Sequence, residues 1–344
     1  MGKSVVLRTA DLDPFFKGLA RRYDVYFPVK QRDQRFFKKY AASAEGALLG
    51  EVRPFEPLKA FFSRARERVA EDFKSDLPRS PSKPMAIVGV KACDLKGFKI
   101  QDHVFTNHGF PDPFYIRNRE QNLIISADCT CAIDTCFCVA LGVVPHPREN
   151  FDLNFSPVKD GFVVEVGSAK GQSTLDEQAS LFRPASGPEL QAKDEQRAEV
   201  AQLVEQNLKR FDVPREDKFA GIIARNHASP IWQDEAKTCV ECGACTQICP
   251  TCHCFLLYDQ KDEQGMARLR VWDSCLLKDY ARVAGGANPR KQLWMRLRNR
   301  FEKKFDFFPK VAQVNACTGC GRCISACPAK IDIRRVLRRL VQSA

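Results

Sequence analysis

Apolar positions along the chain change their spacing several times, and each change marks a part of the molecule. Over residues 57–73, Leu58, Phe61, Phe62 and Val69 recur at helical intervals and predict one amphipathic helix, between turn signals at Pro54 and across residues 78–84. Two short apolar runs follow, residues 85–90 and 122–127, whose length and β-branching predict buried strands, and residues 96–103 between them read as helix. This βαβ order predicts an α/β fold for the first half. Residues 162–166, leaving the turn Lys159-Asp160-Gly161, predict a further strand. Within a polar stretch, residues 189–208 predict a helix with Val200, Leu203, Val204 and Leu208 on one side. Helices are also predicted over 272–282, 289–304 and 331–340, the last carrying Ile333, Val336, Leu337 and Leu340 as one stripe. The expected organisation is an α/β domain over residues 1–180, a helical linker over 181–215 and a mostly helical domain over 216–344.

The cysteines say more than the elements do. Cys239, Cys242, Cys245 and Cys249 are followed by Pro250, and the same spacing returns as Cys317, Cys320, Cys323 and Cys327 followed by Pro328. This is the spacing of bacterial two-cluster ferredoxins, where three cysteines of a run hold one 4Fe-4S cube and the fourth crosses to the other. One cluster would use Cys239, Cys242, Cys245 and Cys327, and the other Cys317, Cys320, Cys323 and Cys249. Structural zinc takes a single set of four ligands and fits two complete runs poorly. In a small ferredoxin the runs lie much closer than the 67 residues between Cys249 and Cys317. The intervening chain must therefore form structure of its own, and the expected fold is an α/β N-terminal domain followed by a mostly α-helical dicluster ferredoxin domain.

Eight further cysteines lie outside those runs. Cys93 and Cys129 each follow a predicted strand, and Cys136 and Cys138 sit on the loop that continues from Cys129. In a parallel sheet they would converge at the carboxyl edge, where α/β proteins build sites, so a third iron-sulfur cluster is expected there. The alternative is that they pack as small buried hydrophobes. Cys131 lies in the same loop and can replace one of the four. Cys252, Cys254 and Cys275 are read as shielding for a neighbouring cluster, with a further metal held alongside Cys131 or His253 as the alternative. His103, His108, His146 and His227 show no partner pattern.

Composition narrows the setting. Among 344 residues, 16 cysteines without a secretory leader at the start read as reduced thiols reserved for metal, which points to the cytoplasm and to an anaerobe or microaerophile. The formal charge is +12. An oxidised cube with four thiolates contributes about −2, so two cubes would leave about +8 and a third about +6. The basic stretch 290–304, with Lys291, Arg296, Arg298, Arg300 and Lys303, is expected to be a solvated helix face or docking surface. No aromatic platform or groove-reading motif accompanies it, so nucleic acid is not an expected partner. No dinucleotide fingerprint, Walker loop or nucleophile elbow occurs, and no apolar run is long enough to span a bilayer. The chemistry expected is electron carriage without substrate activation, and the alternative is a self-contained oxidoreductase with a flavin or substrate site in the α/β half.

Six stretches carry a family resemblance: residues 89–105 (GVKACDLKGFKIQDHVF), 122–142, 162–171, 239–254 (CVECGACTQICPTCHC), 272–275 (WDSC) and 317–332 (CTGCGRCISACPAKID). Occurring in this order, they resemble the iron-sulfur subunit common to three kinds of complex: sulfhydrogenases, where it is the β subunit, anaerobic sulfite reductases, and the flavin oxidoreductases that feed heterodisulfide reductases. The resemblance implies a 4Fe-4S dicluster protein beside an FAD- and NAD(P)H-binding flavoprotein subunit and a catalytic reductase or hydrogenase subunit. Two positions depart from it: Cys131 stands where a non-cysteine is expected, and His253 where an aromatic is expected.

Overall fold

The computed structural model describes residues 4–71, 83–107, 109–263 and 265–343. Its strands are β1 (Val5–Arg8), β2 (Asp24–Gln31), β3 (Gln34–Lys39), β4 (Arg66–Glu71), β5 (Met85–Val90), β6 (Leu123–Ala127), β7 (Leu153–Val158), β8 (Gly161–Val166), β9 (Phe182–Pro184), β10 (Phe255–Asp262) and β11 (Gly265–Trp272). Eight form one mixed sheet in the order β3-β2-β5-β6-β7-β8-β1-β9, in which β2, β5, β6 and β7 run parallel. The central strands β5 and β6 are apolar almost throughout because both of their faces are covered. Phe15, Phe16, Phe27 and Phe155 cover one face. Leu58, Phe62, Leu95 and Phe98 cover the other. The helix Ala92–Thr106 begins the crossover between β5 and β6, so both strands end on the same edge.

A second sheet, in the order β10-β11-β4, crosses the two halves of the chain. It overturns two expectations. Residues 57–71 are not one helix: a 3-10 turn, Leu58–Phe61, buries Leu58, and the chain then straightens into β4, which pairs with β11. The free edge of β11 offers a ladder that outweighs the local helical spacing. Residues 72–73 of that expected helix, residues 78–82 of the turn signal and His108 lie outside the described residues. Trp272 closes β11 and residues 273–282 form turns, not a helix. Here Asp273 Oδ1 accepts the Ser274 N–H at 2.7 Å and Ser274 Oγ accepts the Leu276 N–H at 3.2 Å, which are local bonds that compete with a helical ladder.

Leu293–Glu302 and Ile333–Gln342 fall on predicted helices, and with Phe308–Ala312, where none was predicted, they form the far half, with Trp232, Phe301, Val336 and Leu337 in its core. The fold class is thus an α/β region followed by a largely helical ferredoxin region, as expected. The basic segment 290–304 is a correction: Arg296, Arg300 and Lys304 are buried, where a solvated face was expected. The helix expected as a linker runs Gly187–Arg210, opened by a capping box of Ser186 and Glu189. It lies against the α/β region, where Arg197 Nε donates to Asp128 at 2.7 Å and Asn207 Nδ2 to the Ile133 carbonyl at 2.8 Å. Among the described residues no helix is long and apolar enough to cross a membrane.

Candidate metal centres

The two cysteine runs fold alike. In each, a loop brings three thiols round to a short helix, Ala244–Gln247 or Arg322–Ser325, entered through a left-handed glycine, Gly243 or Gly321. The run's fourth cysteine then leaves toward the other loop. Cys327 stands with Cys239, Cys242 and Cys245 on the wall of one cavity. Cys249 lies among Cys317, Cys320 and Cys323, whose thiols are one another's electrostatic neighbours. Each run's fourth cysteine is thus placed beside the other run's three, where crossed ligation would need it. Cys323 also borders the first cavity, between the two groups.

Burial shapes these thiols. It pushes Cys317 up to about 11 and Cys323 up to about 12, so these two thiols hold their protons at neutral pH and a metal must displace them. The cations around them show what charge the site is built for. Lys304 is fully enclosed, with Nζ 3.3 Å from Cys249 Sγ, 2.8 Å from Thr251 Oγ1 and 2.9 Å from the Ala316 carbonyl. Burial works against its charge, but the sulfurs of Cys249 and Cys252 more than offset that and hold it protonated. Arg300 borders the Cys239 cavity, and its Nε and Nη2 find no partner. Among the described residues neither cation pairs with a carboxylate. Uncompensated buried cations are costly. Soft thiols in groups of four, cavities between them, and buried cations with donors to spare fit anionic iron-sulfur clusters. Among the described residues, no three Cys, His, Asp or Glu side chains close on one point as a single ion would require.

A third group of thiols lies at the carboxyl edge of β5 and β6. Cys93 is in the first turn of the helix after β5, Cys129 follows β6, and Cys136 and Cys138 come round on the next loop. All four line a cavity together with Cys131 and Cys320. The last of these is a finding of the fold, because the spacing assigns it wholly to the second run. Lys91, fully buried at the strand end, donates to the carbonyls of Asp128, at 3.0 Å, and Leu49. Burial raises the Cys129 thiol to about 12.

The second run is pressed onto this third group. Phe137 N donates to the Gly319 carbonyl at 2.9 Å. A Cβ on Gly319 would stand 2.5 Å from Cys138 Cα, and one on Gly321 2.0 Å from the Thr135 carbonyl. Only glycine allows backbone to approach backbone this closely, and both positions have positive φ. Arg322, entirely buried, donates to Asp94 at 2.7 Å and to the Pro54 carbonyl at 3.0 Å, tying the loop to the residue beside Cys93. The expected sites thus converge in one structure, and Cys252, Cys254 and Cys275 gather on a separate cavity. Of the described histidines, His227 Nε2 lies 3.4 Å from Glu302 on the surface, and burial lowers the pKa of His146.

Fold and site together are those of an iron-sulfur protein of the electron-transfer kind. The sequence comparisons agree: the model of the 4Fe-4S dicluster domain matches residues 238–331. Over 335 residues the chain is 31% identical to sulfhydrogenase 2 subunit beta of Pyrococcus furiosus, covering 97% of each protein. A shorter match, 28% identical over 101 residues, is to pyruvate-flavodoxin oxidoreductase of Trichormus variabilis, and it takes in 29% of this chain and 6% of that one. The chain belongs to the family of sulfhydrogenase β subunits and is an iron-sulfur electron-transfer subunit.

Proposed function

We propose that this subunit relays electrons between an NAD(P)H-oxidising FAD flavoprotein subunit and a catalytic subunit of the hydrogenase, sulfite or sulfur reductase, or heterodisulfide reductase type. The observation that carries the reading is the exchange of fourth cysteines, which gives two complete thiol sets from two incomplete runs. Cys239, Cys242, Cys245 and Cys327 would hold one cluster, and Cys317, Cys320, Cys323 and Cys249 the other. Cys93, Cys129, Cys136 and Cys138 would hold a third, with Cys131 as a fifth thiol at hand. When bound, such a cluster supplies a centre that gains and loses one electron. The chain's own residues do the rest. Lys304 and Arg300 oppose the negative charge, the apolar walls exclude water, and Gly319 and Gly321 set the second run against the third thiol group. The sequence carries no dinucleotide fingerprint, which supports a separate polypeptide as the site of NAD(P)H oxidation. A cytoplasmic location accords with so many reduced thiols.

The test uses the full chain, purified anaerobically. The three sets alone should account for about twelve iron atoms, following from four per cube. Dithionite should reduce the chain, whereas NADH or NADPH should do so only after the flavoprotein is added. Rapid reduction of the flavin-free chain by either nucleotide would replace this reading with a self-contained oxidoreductase. One feature favours that second reading: an open cleft of about 500 Å³ beside the cysteine edge, lined by Lys96, Lys99, His146 and Arg148.

A further inference from the structure

Three thiols belong to none of these sets: Cys252, Cys254 and Cys275. All three line one small pocket. The β10–β11 hairpin brings them there. Cys254 immediately precedes β10, and Cys275 comes three residues after β11 ends. The ladder pairs Phe255 with Trp272, and one step beyond it Asp273 N donates to the Cys254 carbonyl at 2.9 Å. Closing the hairpin therefore brings together two cysteines with 20 residues between them in sequence. Pairing of β11 with β4 and the bond from Trp272 Nε1 to the Ser63 carbonyl, 3.0 Å, anchor the hairpin's base to the first half.

The other walls are cationic. Lys303 Nζ lies 3.6 Å from Cys254 Sγ and 2.8 Å from Tyr280 Oη. Lys304 and Arg300, both buried, line the same space. Among the described residues none of the three cations has a carboxylate partner. Lys304 and Arg300 also face the ferredoxin thiols, so the cation particular to this pocket is Lys303 beside Cys254; packing needs no such charge, and a disulfide would consume two thiols and leave it unopposed. A single ion fails on geometry, since no three metal-ligating side chains among the described residues close on one point. A thiolate-bound cluster, anionic and larger than an ion, meets both conditions.

We propose that Cys252, Cys254 and Cys275 hold a further iron-sulfur cluster, distinct from the ferredoxin pair and from the group at the α/β edge. His253 is on hand for a fourth position: its Nδ1 lies 3.1 Å from the Thr251 carbonyl, so Nδ1 carries the hydrogen and Nε2 the lone pair. Assembly takes up iron and sulfide and releases the three thiol protons, and the centre then exchanges one electron with its ligands unchanged. Its place suits transfer. Arg300 borders this cavity and the Cys239 cavity alike, and Lys304 reaches from this cavity to Cys249.

The proposal is tested on the full chain, anaerobically reconstituted with iron and sulfide. Cys254→Ser with Cys275→Ser should lower iron and acid-labile sulfide by about four each per chain, following from one cube. Unchanged iron and sulfide, or one equivalent of zinc lost in their place, would overturn it. To guard against misfolding of the double variant, the wild type is also alkylated with iodoacetamide before and after chelation, and each cysteine is mapped by mass. Protection of Cys252, Cys254 and Cys275 that chelation abolishes supports the cluster. Equal labelling before and after overturns it, and if Cys239 and Cys317 still gain reactivity, the ferredoxin reading stands while this one falls.

Discussion

The two cysteine runs have the same spacing and nearly the same local fold, yet they live in different surroundings. The residue after the first cysteine shows it: Val240 is 64% exposed, whereas its counterpart Thr318 is 2% exposed. Cys242 is exposed, and its counterpart Cys320 faces the third thiol group. The spacing sets which thiols meet. What packs against each loop sets whether its centre faces outward to another protein or inward to the rest of the chain.

The comparison can be broken most forcefully at the helix-entry glycines. Gly243 and Gly321 share a positive φ of about 70°, so alanine at either costs roughly 1–2 kcal/mol of backbone strain. Their surroundings differ. A Cβ at 243 meets the Ser274 side chain at 3.1 Å, which a small shift relieves, but a Cβ at 321 meets the Thr135 carbonyl at 2.0 Å. Gly321→Ala should therefore destabilise by about 3 kcal/mol or more and Gly243→Ala by about 1–2 kcal/mol. Thermal midpoints of the anaerobic holoprotein, with the iron retained after heating, check this. Equal losses would mean that the second loop is not wedged against residues 135–138.

That wedge was invisible in the sequence, where Gly243 and Gly321 look equivalent. What could be read were features with a local cause. The strands β5 and β6 were legible because burial on both faces leaves an unbroken apolar run. The exchange of Cys249 and Cys327 follows from the spacing. The convergence of Cys93 with Cys129, Cys136 and Cys138 follows from parallel strands ending on one edge. Features decided by distant partners were missed: β4 pairs with a strand some 200 residues away, and the cations of 290–304 turn inward because the thiols do. Arg300 and Lys304 in a basic helix look like surface charge until their helix is seen to pack over sulfur. A signal was present all the same. Arg296, Arg300 and Lys304 follow one another at intervals of four positions, which puts all three on one helical face.

A subtler difference between the runs is electrostatic. Lys304 touches Cys249, which completes the second thiol set, and no lysine stands in that relation to Cys327 among the described residues. A cation beside a cluster stabilises its reduced, more negative form and so raises its potential. Lys304→Gln keeps donors for Thr251 and the Ala316 carbonyl but removes the charge. It should lower the potential of the Cys317-run centre by on the order of 60 mV, equivalent to about 1.4 kcal/mol for one electron, and move the other centre much less. An EPR-monitored redox titration resolves the two, and equal shifts would show that the charge is shared.

The smallest effect expected concerns the outward face. Val240 and Leu277 are exposed apolar residues flanking the first run, Val240 on the cavity wall itself and Leu277 close to Gly243. If the flavoprotein docks there, Val240→Asp with Leu277→Asp places charge where apolar contact is made. The apparent KM for the flavoprotein should then rise roughly three- to tenfold, which is about 0.7–1.4 kcal/mol of binding. Iron content and both potentials should stay as in the wild type, because neither side chain holds a thiol or a buried cation. The control sits on the exposed strand β10, where Leu256→Asp changes apolar surface of similar exposure on another element. A rise in KM for the control equal to that of the double variant would move the docking face away from the first run, and its exposure would then mark no route for electrons.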